Sequence, residues 1–237
     1  MKILITGSNG FLGKLICAEL EKEYKIFFLF WNSGNYKVTL ESNIPIFKDS
    51  FDIVIHSAGK AHSIPKNEIQ KKEFYDVNVT GTLNLLKGLE KLTFPKQFVF
   101  ISSVSVYGED FGNNINENHS LNAKDPYGLS KIEAEQLVRS WCEKNKVTCT
   151  ILRLPLLVGE NPPGNLGAMI KAITQGYYFN IAHGKARKSM VLAKDVAAFI
   201  LRAAERGGVY NLTDGFHPSF SELSLAISRS RNKRRPL

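Results

Sequence analysis

Two kinds of hydrophobic run alternate along the chain. Short, nearly continuous apolar stretches rich in β-branched and aromatic residues occur at Lys2–Thr6, Lys25–Trp31, Asp52–His56, Gln97–Ser102 and Thr148–Leu154. Runs of that length and character read as strands covered on both faces. Between them apolar residues return every three or four positions, over Phe11–Glu21, Ile69–Leu92, Pro126–Lys144, Gly167–Gln175, Asp195–Arg206 and Phe220–Arg229. That spacing is the period of amphipathic helices. A weaker strand is expected at Tyr36–Leu40 and a short one at Gly208–Leu212. So little chain separates Tyr36–Leu40 from the strand after it that the crossover there shrinks to about a single turn.

Strands alternating with helices predict an α/β protein of the Rossmann type, a doubly wound parallel sheet with helices on both faces. After about Arg153 the rhythm changes, as Pro155, Pro162, Pro163 and several glycines break the chain into short pieces. The expected division is a dinucleotide-binding domain over residues 1–153 and a smaller substrate-binding lobe over 154–237. Ligands of doubly wound sheets sit outside the carboxyl ends of the strands, so a lobe added there forms the second wall of a site.

Composition narrows the classes. A chain of 237 residues can bury one sizeable core. No apolar run approaches the roughly 20 residues that span a bilayer. The first residues, Met1 to Gly7, read as a strand entering a turn rather than a signal peptide. Cys17, Cys142 and Cys149 show no C-x-x-C spacing, which points to reduced thiols, a cytoplasmic setting and no metal site. The net charge is +9, with Arg229, Arg231, Lys233, Arg234 and Arg235 crowded at the end. No aromatics interleave with these as they do in single-strand binders, so they read as a solvated helix end, with neither nucleic acid nor membrane as partner. The remaining positive excess suits ligands that carry phosphates.

Thr6-Gly7-Ser8-Asn9-Gly10-Phe11-Leu12-Gly13 joins the first strand to the first helix. Gly7 permits the tight turn, Gly10 lets the backbone approach a pyrophosphate, and Gly13 lets helix and sheet pack closely. Free N–H groups at Asn9, Phe11 and their neighbours, together with the helix dipole, then face the phosphates. The end of the second strand, Phe28 to Ser33, holds neither the carboxylate that grips a ribose hydroxyl nor an Arg for a 2′-phosphate. Asn32 or Ser33 can hydrogen-bond either form. NAD and NADP both remain open, with a lean to NADP because no carboxylate is there to repel its phosphate.

Tyr127 and Lys131 lie four residues apart on a predicted helix and so share a face. A free phenol has a pKa of roughly 10. A nearby ammonium, or an oxidised nicotinamide ring, favours the phenolate and lowers that value. Tyr127 can then exchange a proton with an alcohol hydroxyl while a hydride moves to or from the cofactor. Upstream, Ser102 and Ser103 end a strand in two hydroxyls, where a group must stand to orient the reacting oxygen.

With these motifs in order, the chain resembles the extended short-chain dehydrogenase/reductase family, the NAD-dependent epimerase/dehydratase group, from Met1 to about Ser228. Thr6–Gly13 is similar to that family's TGxxGxxG turn and Val54–Gly59 to its VIHLAA segment, which implies that Ser57, Ala58 and Gly59 line the nicotinamide side. Asp76–Thr82 resembles the segment whose Asn, here Asn78, supports the catalytic lysine. Ser102–Gly108 matches SSxxVYG and Pro126–Lys131 matches PYGxSK. The resemblance implies Ser103 as the catalytic hydroxyl, Tyr127 as proton donor or acceptor, and Lys131 as its partner on the nicotinamide ribose. Arg153–Gly159 is similar to the RPxxVYGP stretch that enters the substrate lobe. Asn165 and Arg187-Lys188-Ser189 fall where relatives contact the nucleotide diphosphate.

What the resemblance implies is an enzyme acting at C4 of a nucleotide-diphosphate sugar, UDP-linked, as a homodimer built on the helices at Ile69–Leu92 and Pro126–Lys144. Sugar 4,6-dehydratases of the group place an acidic pair beside the catalytic hydroxyl. Val104 and Ser105 stand there instead, with Ser105 facing the substrate, which leaves a 4-epimerase or a 4-keto-sugar reductase. Ala61-His62-Ser63 resembles bacterial surface-polysaccharide members of both kinds. The alternative from another class is a non-catalytic NAD(P)-binding regulator or scaffold, though such proteins commonly lose the Tyr or the Lys. Relatives continue for several tens of residues past Phe220–Arg229, so the expectation is a truncated or shortened member whose substrate lobe is incomplete at its C-terminus.

Overall fold

The computed structural model describes residues 1–30, 34–61, 65–109 and 111–234. Strands β1 (Lys2–Thr6), β2 (Lys25–Phe30), β3 (Tyr36–Lys37), β4 (Ile53–His56), β5 (Gln97–Ser103), β6 (Thr148–Leu154) and β9 (Gly208–Asn211) form a seven-stranded sheet. Its order is β3-β2-β1-β4-β5-β6-β9, and every pair is parallel. The chain winds outward from β1 to β3, then returns to lay β4 on the other side of β1. That reversal opens a crevice at the carboxyl ends of β1 and β4, the switch point at which such sheets bind ligands.

Both faces of the sheet are covered. Helices α1 (Phe11–Leu20) and α6 (Ala193–Arg206) pack with Ile3, Ile5, Ile53, Ile55 and Val99 on one side. On the other lie α3 (Gly81–Leu89) and α4 (Pro126–Asn145), over Leu4, Val54, Phe98 and Phe100. The alternating sides of these residues follow from the period of two along each strand. A third, smaller cluster joins Leu166, Met169 and Ile173 of α5 (Gly164–Gln175) to Leu223 and Ile227 of α7 (Phe220–Ser230), beneath the short pair β7 (Leu156–Val158) and β8 (Met190–Leu192).

Several elements depart from the sequence pattern. The single helix expected over Ile69–Leu92 is α2 (Glu68–Tyr75), then a π-helical turn at Asp76–Thr80, then α3. An inserted residue of this kind swings neighbouring side chains out of helical register, and here it buries Asn78. Strand β3 ends at Lys37 rather than at Leu40, because Thr39 accepts from the amides of Ser42 and Asn43 and starts a single helical turn. That turn is the whole of the shortened crossover. Strands β7 and β8 are three residues each, too short to leave a period in the sequence.

Helix α4 is fixed at both ends. Asp125 caps it by accepting from the amides of Tyr127 and Gly128, Pro126 occupies its first turn, and Lys146 closes it in a left-handed conformation. Tyr127 and Lys131 therefore sit in the first two turns of a long, well-anchored helix.

Candidate active site

The turn after β1 meets its sequence requirements atom by atom. Gly7 has φ +72°, and a Cβ there would lie 2.6 Å from the Ala58 amide nitrogen. A Cβ on Gly13 would lie 2.1 Å from the Gly7 carbonyl oxygen, so α1 rests directly on the turn. Gly10 differs: a Cβ on it would meet only the Gly7 oxygen, at 3.2 Å, and its outer face is open. No side chain caps α1 and its first turn holds no acidic residue, which leaves its first amides free for an anion. The residues present fit a dinucleotide pyrophosphate.

A cleft of about 540 Å³ runs from this turn, lined by Gly7, Gly10, Phe30, Ser57, Ala58 and Gly59 among others. Asn9 is exposed beside the turn, and Phe11 is half-buried with its ring against Gly159. Asn32 and Ser33 lie outside the described residues, as do His62, Ser63 and Arg235. Glu41, which follows β3, also lines the cleft. Sequence reasoning missed it because it searched for an acidic residue only at the end of β2.

Behind Gly59, which lines this cleft, stands Lys131. Lys131 is buried; its Nζ donates to the Ile101 carbonyl at 2.9 Å and stands 4.8 Å from the centre of the Phe100 ring. A Cβ on Gly59 would lie 3.1 Å from that nitrogen and 3.0 Å from Asn78 Oδ1. Asn78 accepts from the Lys60 amide at 2.7 Å and donates to the Lys60 carbonyl at 3.1 Å and to Ser130 Oγ at 2.9 Å. Ser130 donates to the Tyr127 carbonyl at 2.7 Å, so Asn78 ties the loop after β4 to the first turn of α4. Ser103, at the end of β5, hydrogen-bonds the Tyr127 phenol and also donates to Ser105 Oγ at 3.1 Å. Ser103 thus links Tyr127 to Ser105, and Lys131 lies one turn farther along α4.

Burial acts on both titrating groups. It pushes the Tyr127 phenol above its ordinary value, with Asp125 adding to the rise and the Ser103 hydrogen bond opposing it. It brings Lys131 down to about 8, against the pull of Glu135. The lowering of the phenol expected from Lys131 is therefore not expressed in this arrangement, because the ammonium is turned to the Ile101 carbonyl and desolvation dominates.

The substrate-side residues divide. Arg187 and Ser189 line a second cleft of about 390 Å³ together with Val104, Tyr107, Asn211 and His217. Arg187 donates to the His217 carbonyl at 2.9 Å and pairs with Glu222 at 3.4 Å. Asn165 is exposed in the first turn of α5 and is not among the residues lining that cleft.

Two buried networks were not foreseen. Arg153 and Glu135 form a buried ion pair behind Ser102. His56 stands between two threonines, with Nδ1 2.6 Å from Thr6 Oγ1 and Nε2 2.9 Å from Thr82 Oγ1. Thr82 donates to the Asn78 carbonyl, so Nε2 carries the proton and Nδ1 accepts from Thr6. Thr6 in turn accepts from the Ala58 amide at 3.1 Å. Burial, then the Lys131 charge, hold His56 neutral with a pKa of about 3. Among the described residues no group of three His, Cys, Asp or Glu could hold a metal, and no helix is long and apolar enough to cross a membrane.

Residues 3–213 match the model of the NAD dependent epimerase/dehydratase family. The chain belongs to that family. That family is described as NAD dependent, and the cleft at the glycine turn is where dinucleotides bind in sheets of this kind. The chain is similar to the Escherichia coli O157:H7 N-acetyl-alpha-D-glucosaminyl-diphospho-ditrans,octacis-undecaprenol 4-epimerase, at 35% identity over 69% of this chain and 50% of that one. It thus spans about half the length of that relative. It is also similar to a putative UDP-glucose 4-epimerase of Methanocaldococcus jannaschii, at 28% identity over 93% of this chain and 79% of the other. Among solved structures, RMD from Pseudomonas aeruginosa complexed with NADPH superposes with a TM-score of 0.83, at 23% identity over 99% of this chain and 85% of that one. The fold is the same.

Two predictions follow from the buried groups. An unfolded histidine titrates near 6.5, so His56 adds stability that is present above about that pH and is lost as pH falls toward 3. Urea unfolding from pH 7 to 4 should show a slope approaching 1.4 kcal/mol per pH unit from this residue, and His56→Gln should flatten it. Lys131 works the other way. Its low folded pKa is a penalty fully present below about 8 and gone by its ordinary value of 10.5. Lys131→Met should therefore melt higher than the parent at pH 7, with the difference shrinking above pH 8.

Proposed function

We propose that this chain transfers hydride at C4 of a nucleotide-diphosphate sugar, UDP-linked, as a 4-epimerase or a 4-keto-sugar reductase in the synthesis of surface-polysaccharide precursors. The observation that carries the reading is that Lys131 comes up to Gly59, which lines the first cleft, while Ser103, beside Tyr127, immediately precedes Val104, which lines the second. A nicotinamide dinucleotide held at the turn of Gly7 and Gly10 would supply the hydride acceptor or donor. Everything else falls to side chains of this chain.

Ser103 Oγ holds the C4 oxygen of the sugar and keeps it within reach of the Tyr127 phenol. Tyr127 Oη takes the proton of the C4 hydroxyl on oxidation and returns one on reduction. Lys131, which in this arrangement donates to the Ile101 carbonyl, would turn to the nicotinamide ribose and to the phenol once the dinucleotide is bound. Residues 154–237 supply the facing wall, where Arg187 and Ser189 meet the diphosphate. Asn165 stands apart from that wall and is left out of the reading. The M. jannaschii relative supports a UDP-linked substrate, and the E. coli relative, named for a sugar on undecaprenol diphosphate, supports epimerisation at position 4 but not the UDP carrier. Ile69 and Tyr75 expose apolar surface on α2, which suits a homodimer packed on α2, α3 and α4. A cytoplasmic setting goes with three free thiols.

The competing reading, a dinucleotide-binding regulator, keeps the cofactor and loses the chemistry. Tyr127→Phe separates the two. Turnover of UDP-linked sugars, followed by reduced-nicotinamide absorbance for the ketone and by product analysis for epimerisation, should fall by about 10² to 10⁴. Cofactor affinity should change by no more than about twofold, since the phenol is one contact among many. Unchanged turnover in this variant refutes the mechanism, and no turnover in the parent favours the regulator.

A further inference from the structure

Helix α2 is mostly polar, and of its eight residues, all of them described, Phe74 alone is buried, at 1% exposure. That ring lies 6.0 Å, centre to centre, from the ring of Tyr127, with the two planes at 59°. Aromatic rings at this spacing attract one another in inclined arrangements. Ile69 and Tyr75 of the same helix stay exposed. Helix α2 therefore places its one buried side chain against the candidate acid–base residue.

The backbone of Tyr127 is fixed at both polar groups. Its N–H donates to Asp125 Oδ1 at 3.0 Å, and its carbonyl accepts from Ser130 Oγ at 2.7 Å. The phenol has its hydrogen bond with Ser103. What is left is rotation about the two side-chain torsions, and the second of these has a broad well. Only packing against the ring narrows it, and Phe74 supplies that packing. Phe74 is held in its turn. Lys60 Nζ stands 5.6 Å from the centre of its ring and pairs with Glu73 at 2.6 Å, while Asn78 grips both backbone groups of Lys60. Phe74 precedes the π-helical turn and Asn78 lies within it, so this stretch meets the first turn of α4 twice, at the Tyr127 ring and at Ser130.

We propose that Phe74 is a positioning residue for Tyr127, holding the phenol in the orientation that Ser103 engages and shielding it from water. Phe74 is not among the described residues that line either cleft, so it acts through Tyr127 rather than on a ligand. The inference rests on the reaction proposed above and adds a residue to its machinery. The charged groups near the pair are Asp125 ahead of α4, Lys131 on α4, and Lys60 and Glu73 beside Phe74.

Three variants test it: Phe74→Ala, the milder Phe74→Leu, which stands in where the larger deletion unfolds the protein, and Phe74→Tyr, which keeps the ring. With a UDP-linked sugar as substrate, Phe74→Leu should lower kcat by about ten- to a hundredfold, as a misplacement of about 1 Å does. KM should move by no more than about threefold, since ground-state binding is untouched. Phe74→Tyr should return kcat to within about threefold of the parent, because the aromatic contact is restored. The second readout is the phenol itself, followed by NMR titration of tyrosine labelled at Cζ, with the Tyr127 signal assigned from Tyr127→Phe. Burial holds this phenol above its ordinary value, so admitting water in Phe74→Ala or Phe74→Leu should bring its titration down toward roughly 10. A fall in kcat with an unmoved Tyr127 titration marks a merely structural role and overturns the proposal. Equal losses in Phe74→Leu and Phe74→Tyr overturn it too. If the parent turns over no nucleotide sugar, the proposed reaction falls, and the Tyr127 titration decides the positioning by itself.

Discussion

Arg153 from β6 and Glu135 from α4 meet in the interior, each about 2% exposed, through Nε–Oε1 at 3.1 Å and Nη2–Oε2 at 2.8 Å. Burying two charges costs more than their mutual attraction returns unless every remaining donor and acceptor is used. Here they are used. Ser102 donates to Glu135 Oε1 at 2.5 Å, and Arg153 Nη1 donates to Tyr107 Oη at 2.9 Å and to the Glu117 carbonyl at 3.1 Å. Tyr107 passes the chain on to Asn211 Oδ1 at 2.7 Å, and Asn211 holds Glu117 and Ile115 through its own N–H groups. One ion pair therefore locks α4, β5, β6, β9 and the loop around Ile115 to a common point. Ser103 is the residue after Ser102, and Tyr107 ends the 3₁₀ turn that Ser103 begins. Ser103 is thereby pinned on both sides by the same guanidinium–carboxylate contact, and the second cleft takes Tyr107, Ile115 and Asn211 as part of its lining.

A second buried chain sets the nicotinamide side. From the Ala58 amide through Thr6, His56 and Thr82 to the Asn78 carbonyl, each hydroxyl and ring nitrogen has one assigned direction. Such a chain works only with a neutral imidazole, and the Lys131 charge nearby helps to keep it neutral. It joins the ends of β1 and β4 to the π-helical turn, whose extra residue is what carries Asn78 inward. The two networks meet at α4, where Asn78 reaches Ser130 and Glu135 lies one turn beyond Lys131.

The regular parts of this structure were legible because burial leaves a period. The strands Lys2–Thr6 and Thr148–Leu154 agree with the sequence pattern to the residue, since both are apolar on two faces and bounded by turn residues. The glycine turn was legible because each glycine answers a local steric demand. The networks were not. Arg153 contacts residues 18, 36 and 46 positions away, and Tyr107 reaches across 104 positions to Asn211, separations that carry no repeating signal. One hint was present: Lys131, Ala134, Glu135, Val138 and Cys142 form a helical stripe, and a charged Glu in a stripe otherwise fit for burial calls for a partner. The π-helical turn had no such hint, because Val77, Val79 and Thr80 continue the helical period on either side of it.

The opposed shifts at Tyr127 and Lys131 give the site its chemical character. Burial drives both toward neutrality, the phenol upward and the ammonium down to about 8. Two groups held this way respond strongly to any charge that enters the cleft, since they are in a medium that screens weakly. A positive charge near the phenol favours its ionised form, and a diphosphate near Lys131 favours the ammonium. The protonation of both groups is thus open to the charge of whatever enters the cleft, while Ser103, next to a residue held by the buried ion pair, keeps its place beside the phenol.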